Sequence, residues 1–272
     1  MHPVLWRWGS HLIYSYSVLV GLGILLGTAC AEWLGRRAGY RGLQVLDGAL
    51  WALIGGLIGA RAAYVVPNWG DYAGRPEALL QFWGGGLVFQ GGLVGGIIAL
   101  LLYSLYSGLP FFRVADLAVP GVALGQAMGW VGAMMHGANF GVVARSSLSL
   151  WLPDIYGVYG PRIPTQLLAA LWSGGLLIGL LRLSVRRLPA GMLFWVYLLG
   201  NGVAHLLLEF TRADESPYVG SLRVTQIAEL AQALIAAAVL LYYWRRHAII
   251  LRKRDTDAHN HHRPGADQPV SG

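Results

Sequence analysis

Long apolar runs separated by short polar segments, many of them arginine-bearing, dominate the chain. A membrane-spanning helix needs about 20 predominantly apolar residues at a rise of about 1.5 Å each. Seven stretches meet that requirement, at residues 16–34, 45–66, 87–106, 114–135, 166–183, 191–210 and 226–244. The pattern therefore predicts an all-α polytopic membrane protein with about seven transmembrane helices. It also divides the chain into a seven-helix domain over residues 1–245 and a tail over residues 246–272 that starts basic and is then disordered.

Charge placement orients the bundle. Arg36, Arg37 and Arg41 follow the first span, Arg113 precedes the fourth, Arg182, Arg186 and Arg187 close the fifth, and RRHAIILRKR follows the seventh. Seven crossings put all of these clusters on one side, which the positive-inside rule makes cytoplasmic. The expected topology has the N-terminus outside and the C-terminus inside. The other connections are longer and carry tryptophan and tyrosine, as in PNWGDYAGRPEALLQFW and HGANFGVVARSSLSLWLPDIYGVYGPRIP, which suits the headgroup layer. A membrane-embedded site near the outer face is the corresponding expectation.

Composition agrees with this assignment: 56% of residues are apolar, 12% are charged, and the mean hydropathy is +0.52. The net charge of +7 sits in the boundary clusters rather than on one surface, so nucleic acid is not an expected partner. A single cysteine, Cys30, lies in an apolar segment, which leaves no disulfide framework and no Cys-based metal site. The start MHPVLWRWGSHL lacks the parts of a signal peptide, so the first span is expected to be retained. The tail holds His259, His261 and His262, read as part of a polar tail rather than as metal ligands. No metal and no cofactor is expected.

Ionisable groups inside a bilayer cost about 2.5–3.5 kcal/mol each at a helix centre on insertion scales, so those present are candidates for function. Arg61, Asp116, His136, His205, Glu209 and Arg212 fall within or at the ends of the spans. His205 and Glu209 share a helix face, and Arg212 follows Glu209 at a spacing that permits pairing. That trio reads either as a structural network or as part of a site. The run GGGLVFQGGLVGG, residues 84–96, places one amide, Gln90, among glycines at the outer entrance of a helix. Its small residues allow close helix packing. They also free backbone N–H groups, those of Gly91 and Gly92 among them, to face an anionic headgroup. No GK[ST] follows, which excludes a phosphate loop of the Walker type.

GGLVFQGGLVGG resembles the glycine-rich signature of the prolipoprotein diacylglyceryl transferase family. Further segments match in order: the N-terminal arm and first helix, IGARAAYVV, RIPTQLLAALW and GMLFWVYLLGNGVAHLLLEFTR. The resemblance covers residues 2 to about 245. It implies seven helices in the bacterial plasma membrane, binding of phosphatidylglycerol or another anionic phospholipid, and transfer of its diacylglyceryl group to the lipobox cysteine thiol of a preprolipoprotein, recognised with its signal peptide. The reaction calls for a base near the thiol and positive charge near the leaving phosphate.

By the same resemblance Tyr16, Arg61, Gly91, Gly92, Gln166, Glu209 and Arg212 are expected to bind phospholipid, and Gln90, His136 and His205 to stand in the catalytic positions. Several signature residues differ. Gln90 replaces a histidine, Trp130 an arginine, Ala133 and His136 two asparagines, Ala138 a glutamate, His205 a second arginine and Ile163 a histidine. An amide hydrogen-bonds but does not accept a proton. Two readings follow: a transferase with a rearranged site, or a catalytically silent relative that keeps the lipid- or lipoprotein-binding fold, for instance as a subunit of a membrane complex.

Overall fold

The computed structural model describes residues 4–8, 11–81, 86–186, 188–214 and 217–261, with the backbone alone for Trp8, His11 and 247–261. A hairpin of β1 (Val4–Trp8) and β2 (His11–Tyr14) leads into α1 (Ser15–Arg37). Then come α2 (Gly42–Val65), the short α3 (Trp69–Tyr72), a 3-10 turn (Pro76–Leu80), α4 (Phe89–Ser107) and α5 (Phe111–His136). A second hairpin, β3 (Leu150–Pro153) with β4 (Tyr159–Arg162), precedes α6 (Thr165–Ser184) and α7 (Met192–Glu209). A two-residue pair, β5 (Tyr218–Val219) and β6 (Leu222–Arg223), opens α8 (Val224–His261).

Seven helices among the described residues are long and apolar enough to cross a membrane: α1, α2, α4, α5, α6, α7, and α8 as far as Arg246. Their ends lie within three residues of the spans expected from hydropathy. Punctuation in the sequence explains the sharpness of several of them. Gly108 ends α4 at φ +70° and Gly191 precedes α7 at φ +89°, a left-handed region in which glycine carries no Cβ penalty. Helix α8 extends beyond the expected limit at 244 and stays helical to His261, past the point where disorder is expected from composition. Elongating an existing helix needs no new nucleus, which lets a polar sequence continue a spanning one. The rest of the expected tail, 262–272 with His262, lies outside the described residues, as do Gly84, Gly85 and Arg187.

Helix α2 packs chiefly on α4, and α1 on α5. Both seams are made by glycine. A Cβ on Gly59 would stand 2.8 Å from Gly95 Cα, and one on Gly27 would stand 2.5 Å from the Gly121 carbonyl oxygen. Side chains would force these backbones apart, so small residues set the helix spacing here. Leu100, Val119, Ala123, Leu180, Phe194 and Ala236, from α4 to α8, form the centre of the apolar core.

Alternation of the spans gathers Arg36, Arg37, Arg41, Arg113, Arg182 and Arg186 at one end of the bundle, while the three β pairs and the long connections collect at the other. Asp116 lies near the arginine-rich end. Its carboxylate accepts the N–H groups of Gly191 at 2.7 Å and Phe194 at 2.9 Å, satisfying donors that the first turn of α7 would otherwise leave unpaired. It caps a neighbouring helix and takes no part in the candidate site.

Candidate functional site at the loop-rich end

Gln90 begins α4, and its amide N–H donates to Glu229 Oε1 of α8 at 3.1 Å. The same oxygen lies 3.9 Å from His205 Nδ1 of α7. His205 Nε2 is 3.1 Å from the side-chain nitrogen of Gln126 in α5, which also donates to Asn201 Oδ1 at 2.7 Å. The Tyr197 hydroxyl completes the chain by donating to Gln126 Oε1 at 3.3 Å. The imidazole of His205 contacts two rings, stacked on Phe89 with centroids 6.0 Å apart and tilted against Trp130 at 5.4 Å. Four helices thus converge on one polar thread inside an apolar bundle.

A second group covers the loop-rich end of α7. Glu209, 4% exposed, accepts from the Thr225 hydroxyl at 2.6 Å, from Arg212 Nη1 at 2.8 Å and from Arg223 Nη1 at 3.3 Å. Arg212 also bonds both carboxylate oxygens of Asp214 and donates to Asn139 Oδ1 at 3.1 Å. Asn139 adopts φ +53°, a left-handed conformation that asparagine tolerates well, and this presents its side chain to the guanidinium. Burial alone would lower the pKa of Arg212, but hydrogen bonds and charge from Asp214 and Glu209 outweigh it and raise the pKa. Arg223 is likewise held up, against burial, by Tyr218 and Glu209. Two guanidinium groups face two carboxylates, so the cluster is neutral as a whole.

The expected site residues separate into distinct roles. Gln90 and His205 meet, through Glu229. His136 does not join them: its ring packs edge-on to Tyr14 at 6.1 Å and tilts toward Tyr16 at 6.2 Å, at the mouth between α1 and α5. Gln166 donates to the Ala138 carbonyl at 2.8 Å, holding the chain that leaves α5, while its own Oε1 is buried without a hydrogen bond among the described residues. Glu209 and Arg212 pair as their spacing anticipates.

Several of the groups expected at the phospholipid contacts have protein neighbours. Gly91 and Gly92 lie in the first turn of α4 and pack against α2. The N–H of Gly92 donates to the Val88 carbonyl at 3.1 Å, and a Cβ on Gly91 would strike Ala63 and the Gly59 carbonyl. Arg61 serves the connection that follows α2. Its guanidinium donates to the carbonyls of Ala78 at 2.7 Å, Leu79 at 3.0 Å and Gly86 at 3.2 Å, clamping that loop over the end of α2.

Sequence reading passes over Glu229, Gln126, Asn201, Asp214 and Arg223. For Glu229 a signal exists: a carboxylate a few residues into the seventh span meets the same criterion that singles out Arg61 and His205. Gln126, Asn201 and Tyr197 carry no such mark, since single neutral polar residues are common in helix seams.

Fold and site together define an integral membrane protein that concentrates its polar chemistry at one end of a seven-helix bundle. Comparison with known proteins gives the family. A sequence model of prolipoprotein diacylglyceryl transferase matches residues 3–244. Proteins named phosphatidylglycerol–prolipoprotein diacylglyceryl transferase are similar along their length. The one from Bacillus licheniformis is 34% identical over 251 residues, covering 89% of this chain and 92% of the relative. That from Bacillus cytotoxicus is 35% identical over 257 residues, with 90% and 93% covered. That from a Nostoc species is 30% identical over 256 residues, with 90% of each covered. The chain belongs to the prolipoprotein diacylglyceryl transferase family and is a multi-pass protein of the bacterial plasma membrane.

Proposed function

We propose that this protein transfers the diacylglyceryl group of phosphatidylglycerol to the thiol of the lipobox cysteine in a preprolipoprotein, and does so at the loop-rich end, turned away from the cytoplasm. One observation carries the reading. The family match runs over residues 3–244, and Gln90 and His205, which stand at positions where the family places site residues, both face one carboxylate oxygen, Glu229 Oε1, although they lie on different helices far apart in sequence.

In this reaction the thiol sulfur attacks a glyceryl carbon and the bond from that carbon to the phosphate oxygen breaks. Gln90 and His205 serve the reacting groups. Tyr14, Tyr16 and His136 form an aromatic entrance between α1 and α5 suited to a headgroup, with one polar edge and one apolar face. Glu209 and Arg212 hold the chain beyond α7 against Asn139, and so keep the roof of the site in register with the strand pair β3–β4.

Complementation tests the reading. Expressed in a strain depleted of its own transferase, the chain should restore growth and lipidation of a reporter prolipoprotein. A stably inserted chain that restores neither, beside a family member that restores both, would identify it as a silent relative. Orientation is checked separately. A reporter active only in the cytoplasm should work fused after Arg186 or Arg254 and fail after Pro153. Activity at Pro153 would turn the bundle over.

A further inference from the structure

Resting on the transferase reading, we propose that Glu229 is the group that accepts the proton of the acceptor thiol. Glu229 is 2% exposed. Oε1 takes the Gln90 amide at 3.1 Å and faces His205 Nδ1 at 3.9 Å, whereas Oε2 is buried with no hydrogen-bond partner among the described residues. A carboxylate oxygen left unpaired inside a spanning bundle is costly, and such groups mark functional positions.

The neighbours do not supply an alternative base. Gln90 is an amide. The imidazole of His205 is engaged at both nitrogens, Nε2 with Gln126 and Nδ1 toward Glu229, and its ring packs on Phe89 and Trp130. His136 belongs to the Tyr14–Tyr16 entrance. The open acceptor of the thread is therefore Glu229 Oε2.

The step balances without a further reactant. The thiol proton moves to Oε2, the sulfur–carbon bond forms, and the carbon–oxygen bond to the phosphate breaks. Glycerol phosphate leaves with the bonding electron pair and takes the proton back from Glu229. The Gln126 amide N–H takes His205 Nε2 as its acceptor, so the ring is neutral, with its proton on Nδ1 turned toward Glu229.

The test uses the full chain in phosphatidylglycerol-containing nanodiscs with two lipobox peptides, one bearing cysteine and one selenocysteine. A selenol is ionised at neutral pH and needs no base. Glu229→Gln should lower kcat with the cysteine peptide by about 10²–10⁴-fold, the range of general-base catalysis. The loss should shrink at least tenfold with the selenocysteine peptide. Glu229→Asp, which keeps the acid, should recover part of the thiol reaction. Equal losses on both peptides, or no loss in Glu229→Gln, would overturn the base assignment while leaving the transferase reading intact. A parent chain that transfers to neither peptide would overturn both.

Discussion

Two seams hold this bundle together by opposite means. Between α2 and α4 the contact is made by the absence of side chains: Gly55 and Gly59 face Gly91 and Gly95, backbone against backbone. Between α5, α7 and α8 the apolar core is joined by polar side chains, from Tyr197 and Asn201 through Gln126, His205 and Glu229 to the Glu209 cluster at the end. A glycine seam offers dispersion and close approach with nothing that can react. A polar seam gives up some apolar packing and gains groups that can bind or move a proton. Chemistry therefore belongs to the second seam, and the first serves as rigid support that sets where Gln90 enters it.

The largest effect is expected at the loop-rich end of the polar seam. Arg212→Ala would leave Glu209 and Asp214 to share Arg223, with Glu209 almost fully buried. Breaking a buried ion pair from one side costs about 3–5 kcal/mol. Thermal unfolding in mild detergent should report a loss of that order. An unchanged midpoint would mean that the cluster is dispensable and that the polar seam is held by its apolar flanks.

The glycine seam should be next. Gly59→Ala introduces a methyl that meets Gly95 Cα at 2.8 Å as well as the Gly91 carbonyl. Overpacking of this kind costs about 1–3 kcal/mol. The same unfolding assay should show it, together with altered protease sensitivity of the loop before α4. Full tolerance would show that the two helices can separate freely, and the contrast between the seams would fail.

The two seams were not equally legible in the sequence. Spans, their ends and the glycine contacts follow from local rules: hydropathy over about 20 residues, turn glycines such as Gly108 and Gly191, and small residues four apart such as Gly55 and Gly59. The Glu209–Arg212 pair also follows, because Arg212 comes three residues after Glu209, just past the end of α7. The thread itself does not. Gln90, Gln126, His205 and Glu229 are single residues on four helices, and which face each presents is decided by how those helices rotate about one another. Arg61 illustrates the same limit from the other side: a cation within a span invites a ligand, and the fold also brings backbone carbonyls of the following connection to it. That Gly91 and Gly92 pack against α2 likewise depends on how the two helices approach one another.

A smaller effect should come from inside the polar thread. Gln126 joins Asn201, Tyr197 and His205, so Gln126→Leu removes three contacts and leaves Asn201 Oδ1 unpaired. Interhelical hydrogen bonds in membranes average about 0.6 kcal/mol by double-mutant cycles, because the separated helices also find partners. The cycle of Gln126→Leu with Asn201→Leu should give a coupling energy near that value, with the double mutant recovering part of what either single mutant loses. Coupling near zero would reduce the thread to coincidental proximity.

The smallest effect, and the sharpest check on the contrast, is expected at a glycine that belongs to neither seam. Gly175 lies within α6, exposed, and a Cβ built there meets no atom within 4 Å. If close approach is what the α2–α4 glycines provide, the methyl of Gly175→Ala has nothing to collide with. In a helix interior alanine is favoured over glycine by about 1 kcal/mol in water, and less of that difference is available where the surrounding bilayer already enforces helix. The unfolding midpoint should therefore stay unchanged or rise slightly, by the equivalent of between zero and about 1 kcal/mol. A loss as large as that of Gly59→Ala would mean that glycine acts in this protein through backbone flexibility rather than through contact, and the geometric account of the α2–α4 seam would have to be abandoned along with it.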